Sequence, residues 1–237
     1  MASIIPNRNI VLLSSALEAA RGVISKEDRL QQTIDTIKNL REKIPGCYIL
    51  FTDGSPGIPA ENSRNIIQSL VDFSVWMGND EQIKQFAAAH KNSEAESCLL
   101  ANTLFLFKQN QELMRVLYSA KRIFKISARS ELTEQFKIGI YDNSNLYGKY
   151  VYKQRMPTWI SDKSITTHLF ITRFYSFCPS LIDDYIATLQ RVLNSCVHYG
   201  IDFENAHFRE TKKEKVVELQ KLYCKGIMAT TAKVEVY

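Results

Sequence analysis

The chain has 237 residues, 45% of them hydrophobic and 23% charged, a composition typical of a globular protein whose core needs no disulfides. Its net charge of +5 is spread along the sequence rather than collected in a basic arm, which argues against nucleic-acid binding. The five cysteines form no CxxC pair and no window is apolar over ~18 residues, so we expect neither a zinc site, a disulfide framework nor a membrane span, and a cytoplasmic location.

The amino-terminal quarter predicts a strand–helix–strand unit. Residues 9–13 and 47–52 are short apolar runs typical of strands buried on both faces. Between them Ser25 is a good N-cap, apolar residues recur at helical spacing, and Pro45-Gly46 ends the helix. The two strands of such a unit are parallel, and ligands bind beyond their carboxyl ends. The predicted ligand crevice therefore lies at Ser14-Ser15 and Asp53-Gly54-Ser55.

The rest of the chain predicts helices at 63–73, 81–90, 94–108, 112–119, 179–200 and 203–208, and strands at 122–127, 150–152, 168–176 and 233–236. No repeat, linker or composition shift divides it. We therefore predict a single α/β domain, with a mixed, mainly parallel sheet that is flanked by helices on both sides. Two clusters of chemically active side chains stand out within this framework.

The first cluster follows the strands of the opening unit. Asp53 precedes Gly54, and these two residue types are what an Asx turn at a strand exit uses. The alternative interpretation is a carboxylate that faces a nucleotide and hydrogen-bonds its ribose or base. Ser14 and Ser15 either cap a loop or present hydroxyls and amides to the same ligand, because both strand ends belong to one crevice.

The second cluster is a short acidic turn in which Glu204 and His207 stand three residues apart and share one face of a helix. One interpretation is an acidic helix start. The other is a general base that deprotonates an acceptor hydroxyl. The basic cluster Lys212, Lys213 and Lys215 predicts a solvated face, or else a site for a phosphate-bearing ligand or for peripheral contact with an anionic membrane.

Several enzyme classes lack their signatures. Neither GxGxxG after the first strand nor GxxxxGK[ST] occurs, which argues against Rossmann dinucleotide enzymes and P-loop NTPases. No GxSxG elbow or protein-kinase signature occurs, and the four histidines share no ligand spacing. His90 and His198 are expected at surface positions of helices.

Several blocks of the sequence resemble, in order along nearly the whole chain, a family of small GT-A-like glycosyltransferases found in bacterial surface-polysaccharide clusters and in large DNA viruses and phages. The strand predicted at 122–127 and the two residues after it resemble the family's Lys-Ile-Ser-Gly-Arg-Tyr element. The blocks are the opening strand with Arg29, Gln32-Thr33 and Thr36, then Phe124-Lys125-Ile126-Ser127-Ala128-Arg129, then Thr172-Arg173-Phe174-Tyr175-Ser176-Phe177 with Pro179-Ser180-Leu181, and Asp202-Phe203-Glu204-Asn205-Ala206.

The resemblance implies a GT-A-like fold and the transfer of a sugar from a UDP- or GDP-type donor to a hydroxyl of a glycan or other acceptor, in polysaccharide or glycan synthesis. The nucleotide-binding half would be about 1–130 and the acceptor or catalytic half about 131–237. Lys125 and Arg129 would offset diphosphate charge, with Glu204 as the base and His207 as its substitute. The nucleoside would contact Ser14, Ser15, Asp53 and Ser55.

The sequence departs from the family at two points. Ala128 and Ser130 stand where the family shows Gly and Tyr, and no DxD motif is present to hold Mn²⁺ or Mg²⁺, with Asp53 the one candidate ligand. Either a degenerate set holds the metal, or positive charge replaces it, or transfer is lost. The alternatives are therefore a non-catalytic nucleotide-sugar-binding or assembly protein, or another nucleotide-dependent transferase.

Overall fold

A seven-stranded sheet forms the centre of the protein in the computed structural model, which describes residues 7–19, 22–227 and 233–237. The described strands are β1 (Asn9–Ser15), β2 (Tyr48–Asp53), β3 (Phe73–Trp76), β4 (Arg122–Ser127), β5 (Ser130–Leu132), β6 (Tyr150–Lys153), β7 (Met156–Pro157), β8 (His168–Leu169), β9 (Phe174–Phe177), β10 (Val216–Leu219), β11 (Cys224–Ile227) and β12 (Val234–Val236). The order in the central sheet is β10-β6-β9-β4-β1-β2-β3. β9 runs antiparallel to both neighbours, and the other pairings are parallel.

Helices cover both faces of this sheet. They are α1 (Lys26–Lys43), α2 (Glu61–Leu70), α3 (Glu81–Ala88), α4 (Asn92–Gln109), α5 (Gln111–Tyr118), α6 (Ile182–Tyr199) and α7 (Phe203–Glu210), with 3₁₀ turns at Ile138–Asp142, Ser144–Leu146, Pro179–Leu181 and Lys213–Lys215. The predicted mixed, mainly parallel α/β sheet with flanking helices is confirmed. Within the described ranges, none of the helices is both long and apolar enough to cross a membrane.

Strand alternation divides the core into two layers. In β1, Ile10 and Leu12 pack with α4, α5, α6 and α7 on one face, while Val11 and Leu13 pack with α1 and α2 on the other. Because every second side chain of a strand points to the same face, a strand covered on both sides is apolar throughout. This explains why the uninterrupted apolar runs of β1 and β2 were recognisable in the sequence.

The opening unit places the carboxyl ends of three parallel strands side by side. In the register of the sheet, Ser15 lies opposite Asp53 of β2, and Ser14 lies opposite Ser127 of β4. The helix between β1 and β2 begins where predicted, since the Ser25 hydroxyl accepts the Asp28 N–H at 3.0 Å. The chain thus leaves three strand ends at one edge of the sheet, as the sequence indicated.

Two predicted boundaries were wrong. The helix predicted at 63–73 ends at Leu70, and Phe73 begins β3, because the Asp72 carboxylate accepts the Ile49 N–H at 2.8 Å and holds the chain beside β2. The strand predicted at 168–176 is two strands in different sheets, β8 and β9. Between them the Thr172 carbonyl bonds to the side chain of Lys125, so the chain changes partner there.

Candidate active site

A cavity of about 190 Å³ opens at the carboxyl ends of β1 and β4. Its walls come from the ends of β1 and β4 with the residues that follow them, the first turns of α1, the loop after β2, α3 and α4. The predicted residues Ser14, Ser15 and Arg129 line it. This is the crevice position that the strand–helix–strand unit indicated, because open α/β sheets bind ligands beyond the carboxyl ends of their strands.

Arginine side chains give the cavity its positive charge. Arg129 lies in the wall, and its Nε is buried without a hydrogen-bond partner among the described residues. Burial, together with the guanidinium groups of Arg29 and Arg173, lowers the pKa of Arg129 to about 10, while Glu96 acts in the opposite direction. At neutral pH the group stays charged. A buried cation with an unused N–H faces a cavity that suits an anion.

Arg29 contributes to the same wall from α1. It is buried, and its Nε and Nη1 donate to the carbonyls of Ile24 and Ala16, each at 3.3 Å. We did not propose Arg29 as a site residue from the sequence. The signal that could have identified it is its position on the buried stripe of α1, four residues before Thr33 and eight before Ile37, where an apolar residue is expected.

Asp53 and Ser55 support the loop that forms the cavity's rim instead of lining it. Asp53 is buried; its Oδ2 accepts the Leu17 N–H at 2.9 Å and its Oδ1 accepts the Ser55 N–H at 3.0 Å. The Ser55 hydroxyl in turn accepts the Glu18 N–H at 2.9 Å. Burial raises the pKa of Asp53. The Asx-turn interpretation thus describes Asp53, which fastens the loop after β1 to the end of β2.

Lys125 is completely buried, and its charge is paired inside the protein. Its Nζ lies 2.7 Å from the Glu96 carboxylate and donates to the Thr172 carbonyl at 2.9 Å and to the Ser127 hydroxyl at 3.2 Å. Glu96, on α4, lines the cavity and was not identified from the sequence. Because Glu96 and Lys125 stand 29 residues apart in the sequence, their pairing became visible only in the folded chain.

Glu204 and His207 lie on α7, outside the cavity lining. Glu204 accepts a hydrogen bond from the Thr172 hydroxyl at 3.2 Å. Burial raises its pKa to about 7, with further contributions from Glu96 and Asp202. A carboxyl with this pKa exchanges protons near neutral pH, as a general base requires.

His207 is fully buried in the aromatic core. Its Nδ1 lies 3.2 Å from the Tyr152 hydroxyl, and its ring centroid is 4.5 Å from that of Phe203 and 5.5 Å from that of Tyr175. Burial lowers its pKa to about 3, so the imidazole is neutral at neutral pH. This environment is that of a packed core histidine.

The basic cluster near the carboxyl terminus is occupied by internal partners. Lys215 and Lys212 lie 2.9 Å and 3.5 Å from the Asp184 carboxylate, and Lys213 donates to the carbonyls of Phe208 and Thr211. Of the two histidines expected at helix surfaces, His198 is exposed on α6, whereas His90 is exposed in the turn after α3 with a φ of 59°.

The side chains at the cavity do not fit a divalent metal ion. No group of three or more His, Cys, Asp or Glu that could hold a metal occurs in the described part of the chain. The oxygens of Asp53 accept backbone N–H groups, and Glu96 is paired with Lys125. Mn²⁺ and Mg²⁺ favour free carboxylate oxygens, whereas this wall presents guanidinium groups.

Solved glycosyltransferases share this fold. The chain matches the glycosyltransferase GlyE of Streptococcus pneumoniae TIGR4 with a TM-score of 0.50 and 8% identity, over 91% of this chain and 46% of that chain. It matches core-mannan synthase A of Aspergillus fumigatus in its Mn/GDP form with a TM-score of 0.51 and 11% identity, over 90% of this chain and 73% of that chain. The chain thus spans less than half the length of the streptococcal enzyme.

No protein-family model and no curated protein sequence matches the chain. The likeness at these low identities shows the fold, which is that of glycosyltransferases and agrees with the predicted GT-A-like architecture. Membership of the smaller family of polysaccharide clusters and viruses stays a prediction.

Proposed function

We propose that this protein transfers a sugar from a nucleoside diphosphate donor to a hydroxyl group of a glycan or other acceptor. The observation that carries the proposal is the placement of Arg29 and Arg129 in one cavity at the carboxyl ends of parallel strands, in a fold shared with glycosyltransferases. An arginine-lined cavity at this edge is suited to a diphosphate, because one guanidinium group can donate two parallel hydrogen bonds to two phosphate oxygens.

The donor would lie along the strand ends. Its diphosphate would contact Arg129 and Arg29, and its nucleoside would contact Ser14 and Ser15, which line the cavity. Asp53 and Ser55 act through the loop after β1, whose Leu17 and Glu18 amides they hold. Lys125 acts through Glu96, the carboxylate that it holds in the cavity wall. We infer UDP- or GDP-type donors as the first class to test.

In the reaction, the acceptor oxygen forms a bond to the anomeric carbon, and the bond between that carbon and the diphosphate oxygen breaks. The leaving diphosphate takes the electron pair, and fixed positive charge stabilises it as the charge develops. The acceptor proton passes to a carboxylate. We propose Glu204 for this step, since its pKa of about 7 allows it to accept a proton near neutral pH. Glu96, whose charge helps to raise that pKa, lines the cavity.

Two measurements test the proposal. The first is a thermal-shift panel of UDP, GDP, their sugar conjugates, ATP and S-adenosylmethionine. A ligand present at ~100 times its Kd adds roughly 2.7 kcal/mol to stability, which for a chain of this size raises Tm by roughly 5–10 °C. The second is release of nucleoside diphosphate from the donor that binds. Its rate should rise with pH through about 7 and fall at least about 100-fold in Glu204→Gln.

Each outcome has a distinct meaning. A shift with a nucleotide sugar and release of its diphosphate supports a transferase. A shift without any release, over a range of hydroxyl acceptors, would support a non-catalytic binding protein instead. Stabilisation by ATP or S-adenosylmethionine alone would contradict the donor class and indicate another nucleotide-dependent transferase.

A further inference from the structure

We infer that the cavity binds its diphosphate without a divalent cation, with Arg129 and Arg29 in the place that a metal ion would take. This inference rests on the proposed function, and it decides among the three explanations that the missing DxD motif leaves open. It is drawn from the side chains that line the cavity, their hydrogen-bond partners and the balance of charge between them.

The backbone of Arg129 is held on both sides. It stands two residues after the end of β4, and the N–H of Ala128, just before it, donates to the Ser14 carbonyl at 2.9 Å. The Arg129 carbonyl accepts the Ile227 N–H at 3.0 Å, which ties it to the end of β11. The side chain is therefore presented to the cavity from a fixed base, and a bound anion needs no rearrangement of the chain to reach it.

The side chain of Arg129 lacks the partners that a buried guanidinium normally has. Its Nε is buried and unpartnered among the described residues, and within the same residues no carboxylate forms an ion pair with it. Arg122, at the other end of the same strand, shows the usual arrangement: it donates to the Ser176 hydroxyl and to the carbonyls of Leu146 and Lys149. An unpaired buried donor is costly, and an anion oxygen would satisfy it.

The surroundings of Arg129 add positive charge. Arg29 and Arg173 both lie close enough to lower the pKa of Arg129. The carbonyls of Ala16 and Ile24 orient Arg29, and the Ile227 carbonyl accepts from Arg173 at 3.0 Å. The Ile227 carbonyl fixes the direction of the Arg173 guanidinium without neutralising its charge. A divalent cation placed beside these groups would be repelled, whereas a diphosphate would be attracted.

The carboxylate in the cavity wall already has a counter-ion. Glu96 is the single carboxylate among the described residues that line it, and the buried ammonium of Lys125 lies 2.7 Å away. Moving Glu96 to a metal would leave Lys125 buried without its counter-ion, which costs more than a surface ion pair gains. Among the described lining residues, a metal therefore finds neither an unpaired carboxylate nor a favourable field.

The test is equilibrium binding of UDP and GDP by isothermal titration calorimetry, in EDTA and in Mn²⁺. We expect the affinity of the nucleotide that binds to agree within about threefold between the two conditions, and Arg129→Met to weaken it by about 10- to 100-fold in both. Arg129→Lys keeps the positive charge but lacks the two parallel N–H groups of a guanidinium. Its nucleotide affinity should lie between those of the parent protein and Arg129→Met. Arg115→Met, an exposed arginine on α5, is the matched control and should leave the affinity unchanged.

The outcomes separate this inference from the function on which it rests. Nucleotide binding that appears only with Mn²⁺ would overturn the metal-free site and leave the proposed function standing. Binding in EDTA that Arg129→Met does not weaken would have the same two consequences. No binding of either nucleotide in either condition would overturn both. Melting temperatures of all three variants establish that a lost affinity is not a lost fold.

Discussion

The ammonium of Lys125 lies 2.7 Å from the Glu96 carboxylate, and this ion pair joins the centre of β4 to α4 at the wall of the cavity. The two partners differ in exposure: the Lys125 side chain is 0% exposed and that of Glu96 is 34% exposed. Removing Glu96 therefore leaves the fully buried charge of Lys125 unpaired, whereas removing Lys125 leaves a charge that water still reaches. The two single substitutions should therefore differ in their effect on stability.

We expect Glu96→Gln to cost about 2–3 kcal/mol of unfolding free energy, and Lys125→Met to cost less. The double variant should recover part of the loss, because the buried charge is then gone. Urea unfolding of the four proteins as a double-mutant cycle measures this coupling. Strictly additive losses would contradict an ion pair of this kind.

Substitution of Asp53 should lower the stability of the protein more directly than it weakens ligand binding. Both of its oxygens accept backbone N–H groups, so Asp53→Asn should lose one of them and cost about 1–3 kcal/mol, and Asp53→Ala should cost more. Thermal unfolding checks the order. The matched control is Asp162→Asn, an exposed residue whose Oδ1 accepts the Ser164 N–H, where we expect a much smaller change in Tm.

Glu204 should make the protein less stable as the pH rises towards neutral. Its pKa is about 7 in the folded protein against 4.5 ordinarily, so between these values the folded state holds a proton that the unfolded chain has released. The stabilisation is fully present below pH 4.5 and lost as the pH rises through about 7.

Glu204→Gln removes this titration. Its stability relative to the parent should therefore increase between about pH 5 and pH 8, by up to about 3 kcal/mol. Unfolding free energies of both proteins across that range measure the difference. A difference independent of pH would show that Glu204 titrates normally.

Replacing Arg122, at the start of β4, or Arg129, just after its end, by methionine should change the stability of the protein in opposite directions. Arg122 satisfies three acceptors, so Arg122→Met should cost about 2–3 kcal/mol. Arg129 is buried, and its Nε has no partner in the described part of the chain, so Arg129→Met should keep or raise Tm, by about 2–4 °C for each kcal/mol gained. A lower Tm for Arg129→Met would mean that its guanidinium stabilises the unliganded fold.

Gly78 stands where the loop after β3 meets the loop after β2. A Cβ at this position would lie 1.9 Å from the Gly57 carbonyl oxygen, which is backbone and cannot turn away. We expect Gly78→Ala to cost about 3 kcal/mol or more. Because Pro56, next to Gly57, lines the cavity, nucleotide binding should weaken as well. Gly139→Ala, with open space around its Cβ, is the control for chemical unfolding.

Local patterns in the sequence determined the opening unit, the edge of the sheet that carries the cavity, and part of its lining. The apolar runs of β1 and β2 are readable because each strand is covered on both faces, and Ser25 marks the start of α1 through a hydrogen bond to a residue three positions on. Ser14, Ser15 and Arg129 follow from these elements, because a strand's end fixes the position of the next residues.

Tertiary structure alone decided which charges are free. Lys125 and Arg129 look equivalent in sequence, but Lys125 meets Glu96 from a helix 29 residues earlier, and Arg129 meets other arginines. Asp53 likewise meets the amide of Leu17, 36 residues away, and so supports the loop after β1. Charge pairing and burial depend on segments that only folding brings together. The sequence therefore located the cavity, and the packing around it determined which of its charged side chains are paired inside the protein.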